Sequence, residues 1–225
     1  AKSLGALVSS ATHPSGFIAK MRVDAAVLTA KRIQKLPIEL HKKAFFIATA
    51  VAPQACFGAS TIELPAGALK VLEATIMKAL WGNHHALRAK ELCFGALWDP
   101  IQVHPQWVSI LYAFRDLRRI MFRRNDLKAK FVRLLQKRIE RPHPLRGPGP
   151  GRTLLMHLTK CGWTKIVTHN SLNVSHEDLG TMDFFASPDA QLKRWLSYTA
   201  RQIICEGLRA RADGENNLFP RKDAI

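Results

Sequence analysis

Between Arg115 and Arg146 the chain places twelve basic residues, Arg115, Arg118, Arg119, Arg123, Arg124, Lys128, Lys130, Arg133, Lys137, Arg138, Arg141 and Arg146, against Asp116, Asp126 and Glu140. Arg115, Arg119 and Arg123 fall at i, i+4 and i+8, so on a helix they share a face that can follow a row of phosphates. Guanidinium suits bidentate phosphate contact, and each phosphate neutralised releases counterions, so such a face binds nucleic acid without reading its sequence. A charge run can equally be a solvated helix face stabilised by i,i+4 ion pairs, but few acids are interleaved here to make them. Phosphate contact is therefore expected of Arg115, Arg118, Arg119, Arg123, Arg124, Lys128, Lys130 and Arg133. A second set, Lys20, Arg22, Lys31, Arg32 and Lys35, is expected to spread around more than one face of an earlier helix. For Lys20, Lys31 and Arg32 the solvated reading and phosphate contact weigh about equally.

Other chemistries find no frame. His84 and His85, with Cys93 and His104, invite a metal reading, but adjacent histidines point in different directions and no H-x-x-x-H or C-x-x-C accompanies them. No G-x-S-x-G is present, and Gly147-Pro148-Gly149-Pro150-Gly151 sets prolines where a phosphate cradle needs backbone N–H donors. Two-metal phosphoryl transfer needs carboxylates clustered around ions about 4 Å apart; the 17 acids are scattered, with no Asp-Asp pair. No catalytic residue, metal, cofactor or small-molecule substrate is expected in this chain. Trp163 suits either base stacking or the core, and the core is favoured. Cys56, Cys93, Cys161 and Cys205 stand singly, as reduced, mostly buried thiols of an intracellular protein would. No apolar run reaches the roughly 18 residues of a membrane span, and the longest, Ala44 to Phe57, is interrupted by Pro53.

Composition agrees with the basic run. Of 225 residues, 34 are Lys or Arg and 17 Asp or Glu, a net charge of +17 that a fold does not need and that opposes compaction by self-repulsion. A polyanionic partner accounts for it, nucleic acid first and an anionic membrane surface second. Hydrophobic residues make up 47% of the chain, too many for a disordered tail.

The elements that must carry these residues read as mainly α. A strand remnant at Leu4 to Val8 precedes a helix from Phe17 to Leu36 with Met21, Ala25 and Leu28 on one face. Glu39 to Phe57, apolar almost all round, reads as a central helix, kinked or ended at Pro53 and left at Gly58. Leu69, Leu72, Ile76 and Leu80 form a stripe between Pro65 and Gly82. Pro100 and Pro105 bracket a loop. Trp107, Ile110, Phe114, Leu117 and Met121 mark the clearest amphipathic helix, and after a break at Asn125-Asp126 a basic helix continues with Leu127, Phe131 and Leu134. Residues 141–151, with four Pro and three Gly, read as a linker. Beyond it come a short helix (Thr153 to Trp163), a polar stretch of ambiguous structure (Thr164 to Gly180) and a last helix capped at Ser187 with Pro188 in its first turn, reaching about Arg211. The expected organisation is a helical bundle over residues 1–140, a linker over 141–151, a smaller helical unit over 152–211 and a flexible tail over 212–225.

Several motifs, in order, resemble a known family. Leu4-Gly5, then Lys31-Arg32-Ile33-Gln34-Lys35-Leu36-Pro37, then Cys56-Phe57-Gly58, then Ala79-Leu80-Trp81-Gly82 follow the pattern of non-LTR (LINE-type) retrotransposon reverse transcriptases downstream of their catalytic Tyr-x-Asp-Asp loop. Leu154-Leu155, Gly162-Trp163 and the late helix from Leu192 to Arg211 are similar to the thumb and linker beyond. The resemblance covers residues 1–210, and the family's usual Tyr is Phe57 here. It implies a palm-edge remnant followed by a thumb that grips RNA template, DNA primer and their hybrid duplex, in the nucleus. It also puts the catalytic carboxylates and their magnesium before Ala1, so no polymerase activity is expected of this chain alone. A stand-alone basic helical RNA- or DNA-binding module and a decayed element fragment are the other readings.

Overall fold

The computed structural model describes residues 2–3, 6–7, 17–61, 64–82, 90–140, 149–168 and 171–215, and over them the fold is mainly α. At the N-terminus, β1 (Lys2–Ser3) pairs antiparallel with β2 (Ala6–Leu7); the remainder of the expected strand lies outside the described residues.

α1 (Phe17–Gln34) buries Ala19, Val23, Ala26, Val27, Ala30 and Ile33. The face expected from Met21, Ala25 and Leu28 is instead turned outward, Met21 being 55% and Leu28 57% exposed. Small size explains the choice: alanines at 19, 26 and 30 let the α1 backbone approach its main neighbour, α4 (Ala66–Trp81), which Met21 and Leu28 would hold off. On α4, Leu72, Ile76 and Leu80 are buried and Leu69 partly so, as their spacing predicts, and Gly82 (φ 92°) ends the helix in a conformation that favours glycine.

Between these helices, α2 (Leu40–Phe46) widens into a π turn (Ile47–Val51) before α3 (Ala52–Cys56). Pro53 gives the cause, since it has no N–H for the Thr49 carbonyl and its ring crowds that oxygen. The expected all-round burial is corrected. Ile47, Val51, Ala55 and Cys56 are buried, whereas Leu40, Phe45 and Phe46 face solvent. Arg22 ties α1 to the exit of this helix, donating to the Phe57 carbonyl at 2.9 Å with its guanidinium 4.8 Å from the Phe57 ring.

The segment expected to be a loop between Pro100 and Pro105 is a short helix, α5 (Pro100–Val103). Asp99 caps it by accepting from Ile101 N at 3.3 Å, and each proline sits in the first turn of a helix, where its missing N–H costs nothing. Pro105 opens α6 (Pro105–Arg123), whose Trp107, Ile110, Phe114, Leu117 and Met121 are all buried, as the stripe predicts. Arg124 breaks the rod with φ −127° and ψ 74°, and α7 (Asn125–Glu140) follows. Here the stripe is Leu127, Phe131 and Leu135 with Val132, while Leu134 is 65% exposed. Both leucines fit helical spacing; Leu135 is taken because the start of α8 (Pro150–Lys160) packs on it, Gly151 lying against Leu135 and Phe131.

The expected linker is described only from Gly149, and its last residues, Pro150 and Gly151, already belong to α8. Gly162 (φ 69°) ends α8 with two crossed bonds, Trp163 N to Leu158 O and Gly162 N to Thr159 O, each 3.0 Å, and this closure swings Trp163 into the core. The region beyond is not wholly helical, which corrects the expected C-terminal unit. β3 (Thr164–Val167), β4 (Leu172–His176) and β5 (Gly180–Asp183) form an antiparallel sheet in that order, with Leu172, Val174 and Met182 turned inward. α9 (Asp189–Glu215) starts one residue later than expected, because Gln191 N and Leu192 N bond to the Pro188 carbonyl at 3.1 and 3.2 Å while the Ser187 carbonyl accepts from Arg118.

Two cores result. One joins α1 to α4 with Cys93, Phe94, Val103, Val108 and Ala113; the other joins Trp107, Ile110, Phe114, Leu117 and Met121 to α7, α8, the sheet and α9. α6 belongs to both. Phe114 packs on Phe184, Trp163 and His157 with ring centroids 5.1, 5.9 and 6.1 Å away. Trp163 is a core residue whose Nε1 donates to Thr199 Oγ1 at 2.9 Å. Phe114→Ala is expected to cost about 3 to 5 kcal/mol, read as a lower denaturant midpoint at unchanged slope. A cost under about 1 kcal/mol would show that α6 does not organise the second core.

Candidate nucleic-acid interface

α6 changes character at Phe114. Up to there it is buried on nearly all sides between the two cores; from Arg115 onward only Leu117 and Met121 stay fully covered. The first core ends at this level, and the side of α6 it leaves bare is where the arginines stand.

Those arginines are not equivalent. Arg115 Nε lies 3.3 Å from Asp189 Oδ1 at the start of α9, so this guanidinium is already paired. Arg118 sits half-buried next to the core stripe and donates through Nη2 to the Ser187 carbonyl, while its Nη1 is buried without a hydrogen-bond partner. Burial disfavours the charged form of Arg118. Arg119 and Arg123 are exposed. Arg124 closes a two-pronged contact on Asp126, at 3.1 and 3.0 Å, and is thereby occupied. Lys128 lies 5.8 Å from the centre of the Phe185 ring, a cation–π contact rather than a free charge. Lys130 and Arg133 stand exposed on α7. Arg119 and Arg123 on α6 and Lys130 and Arg133 on α7 thus stand exposed on either side of the break at Arg124, and among the described residues none of them makes an ion pair.

The expected face of Arg115, Arg119 and Arg123 therefore divides, with Arg115 spent on Asp189. On α1 Lys20, Lys31 and Arg32 are exposed, and Arg22 turns aside to Phe57.

Facing α6 across a cleft of about 450 Å³ is the turn from Phe185 to Asp189. Asp183 builds it, its Oδ1 accepting from Phe185 N and Ala186 N, both at 2.8 Å. Tyr112, Arg115, Asp116, Arg118, Arg119 and Phe122 line the α6 side. Burial beside the helix pushes the Asp116 carboxyl up, against the pull of Arg119 and Arg115. Phe122, which sequence reasoning passed over, is 87% exposed within this cationic surface. The signal for it was present, as a large apolar residue off the buried stripe between Arg118, Arg119 and Arg123.

Compared with known proteins, the chain matches no family model, no curated protein and no solved structure. What the site can do is set by its own chemistry, exposed cations on α6 and α7 beside a cleft whose lining includes Tyr112, Phe122 and Phe185.

The other sequence candidates fall as follows. His84 and His85 lie outside the described residues; Cys93 and His104 are buried, and among the described residues no group of three or more His, Cys, Asp or Glu is placed to hold a metal. Cys56 and Cys93 are buried thiols pushed up to about 12 by desolvation, and Cys161 is raised likewise, so they stay protonated at neutral pH. Among the described residues no helix is long and apolar enough to cross a membrane.

Because the Asp183 carboxylate accepts two of the amide N–H bonds of the turn opposite α6, Asp183→Ala is expected to cost about 1 to 2 kcal/mol. Amide exchange at Phe185 and Ala186 should accelerate while the Trp163 amide remains protected. Unchanged exchange at both would mean the turn is held by its packing instead.

Proposed function

We propose that this chain grips nucleic acid through its sugar–phosphate backbone, in the manner of the thumb of a non-LTR retrotransposon reverse transcriptase holding RNA template, DNA primer or hybrid duplex. The observation that carries the reading is the set Arg119, Arg123, Lys130 and Arg133, exposed on two successive helices and, among the described residues, making no ion pair. Four exposed cations on two successive helices repel one another, and a phosphate backbone offsets that repulsion. Arg is the better half of the set, since its fork can bind a phosphate through two N–H groups.

A second feature favours a thumb set in a larger assembly over a free-standing basic module. Phe17, Met21 and Leu28 are exposed on the outer side of α1, interleaved with Lys20, Lys31 and Arg32. Large apolar side chains repeated along one solvent face suit a covered surface better than a bare one. The order of motifs from Leu4-Gly5 to Gly162-Trp163 supports the same placement. In this reading the chemistry of polymerisation belongs to carboxylates and magnesium outside this chain.

The grip is tested by salt. Changing Arg119, Arg123, Lys130 and Arg133 together to Gln should leave the melting temperature nearly unchanged and weaken binding to RNA, DNA and hybrid alike. The slope of log affinity against log salt should become shallower by roughly 0.7 to 0.9 for each phosphate that is no longer neutralised. Arg124→Gln, which removes a charge already held by Asp126, should move the slope far less. An unchanged slope in a folded quadruple variant would overturn the assignment of the grip to α6 and α7, and would point to Lys20, Lys31 and Arg32.

A further inference from the structure

The cleft between α6 and the turn at 185–189 does not have the composition of a phosphate trap. Arg115, Arg118 and Arg119 face Asp116 and Asp189, three guanidiniums against two carboxylates, and one of those guanidiniums is already paired. A bare anion would gain little from such a nearly balanced site. Two further features call for a ligand with a flat apolar face and N–H groups as well as a negative charge.

The first is Phe122. It lies three or four residues from both Arg118 and Arg119, on the same side of α6, and at 87% exposure it is the most open of the large apolar side chains among the described residues. Among the described residues neither core takes in this ring, and an aromatic ring beside arginines offers a stacking platform for a base. The second is Asp116, a partly buried carboxylate that lines the same α6 wall as Phe122. Its oxygens are hydrogen-bond acceptors at the cleft wall, suitable partners for the exocyclic amine or ring N–H of a base. The opposite wall is preorganised by Asp183, so the cleft need not be assembled on binding. Its volume of about 450 Å³ lies within the usual range for a site that takes one nucleotide-sized ligand.

We infer that this cleft holds one unstacked nucleotide of a single-stranded RNA or DNA, its base on the Phe122 ring and its phosphate on Arg119. This deepens the backbone grip proposed above and rests on it: the four cations track the strand, and the cleft takes a base that no partner strand has paired. A base within a duplex is stacked on both sides and cannot enter. The consequence is a preference for single strands, or for the single-stranded end of a template, that the four cations alone do not give.

The test uses the whole chain with a labelled single-stranded RNA of about 12 nucleotides, a length within the usual span of a single-strand site, and the RNA–DNA hybrid of the same sequence. Phe122→Ala should weaken single-strand binding on the order of tenfold and hybrid binding by less than about twofold. The salt slope should not move, since no charge is removed. Phe122→Trp should restore affinity, and its added indole fluorescence should be quenched by the single strand and not by the hybrid. Equal weakening of both ligands, or of neither, overturns the cleft. If Phe122→Ala changes nothing while the four-cation variant flattens the salt slope, the cleft fails and the grip stands. If neither variant has an effect, both fail.

Discussion

The packing of Phe114 is the contact on which the molecule depends. Its ring lies at the level where the first core ends and the second begins, wedged against Phe184, Trp163 and His157. A single helix that served one core would need one apolar stripe. α6 serves two, so its first half is buried almost all round, and its second half must leave one side uncovered when the first core runs out. Placing arginine on that side keeps the helix soluble there, and it also concentrates positive charge where two rigid bodies of packing meet.

From that constraint the site follows. Phe184 anchors the end of β5 in the second core, and Asp183, one residue earlier, organises the turn that faces the α6 arginines. The residues that support the cleft are thus neighbours in sequence of residues that fill the core. A side chain that moved in the core would move the wall of the cleft with it. By contrast Lys130 and Arg133 on α7 sit beyond the break at Arg124, where only Val132 and Leu135 are buried, and depend on the core far less.

How far the sequence could be read varied with how many solutions its spacing allowed. The stripe Trp107-Ile110-Phe114-Leu117-Met121 had no rival on its helix, and the structure uses it unchanged. On α1 two stripes competed, and size preference chose the larger residues, Met21 and Leu28, where close packing against α4 needed Ala19, Ala26 and Ala30. On α7, Leu134 and Leu135 fitted equally well, and only the position of α8, set by a distant part of the chain, decided between them. The sheet from Thr164 to Asp183 was obscured because its strands are four or five residues long and bury few apolar residues, Leu172, Val174 and Met182, while Ile166 on β3 faces solvent. The basic run was legible as composition. Which of its members are free was not, since Arg115 is paired by Asp189, 74 residues later in sequence, and Arg118 by a carbonyl 69 residues away.

The central claim is spatial: nucleic acid lies along the exposed side of α6 and α7, from Arg119 to Arg133. The most direct measurement is ultraviolet cross-linking of the chain to a single-stranded RNA carrying 4-thiouridine, followed by mass spectrometry of the linked peptides. The account predicts cross-links concentrated between Arg118 and Arg133, with Phe122 among the attached residues, and their loss at high salt. Cross-links confined to α1, or scattered evenly over the basic surface, would contradict it.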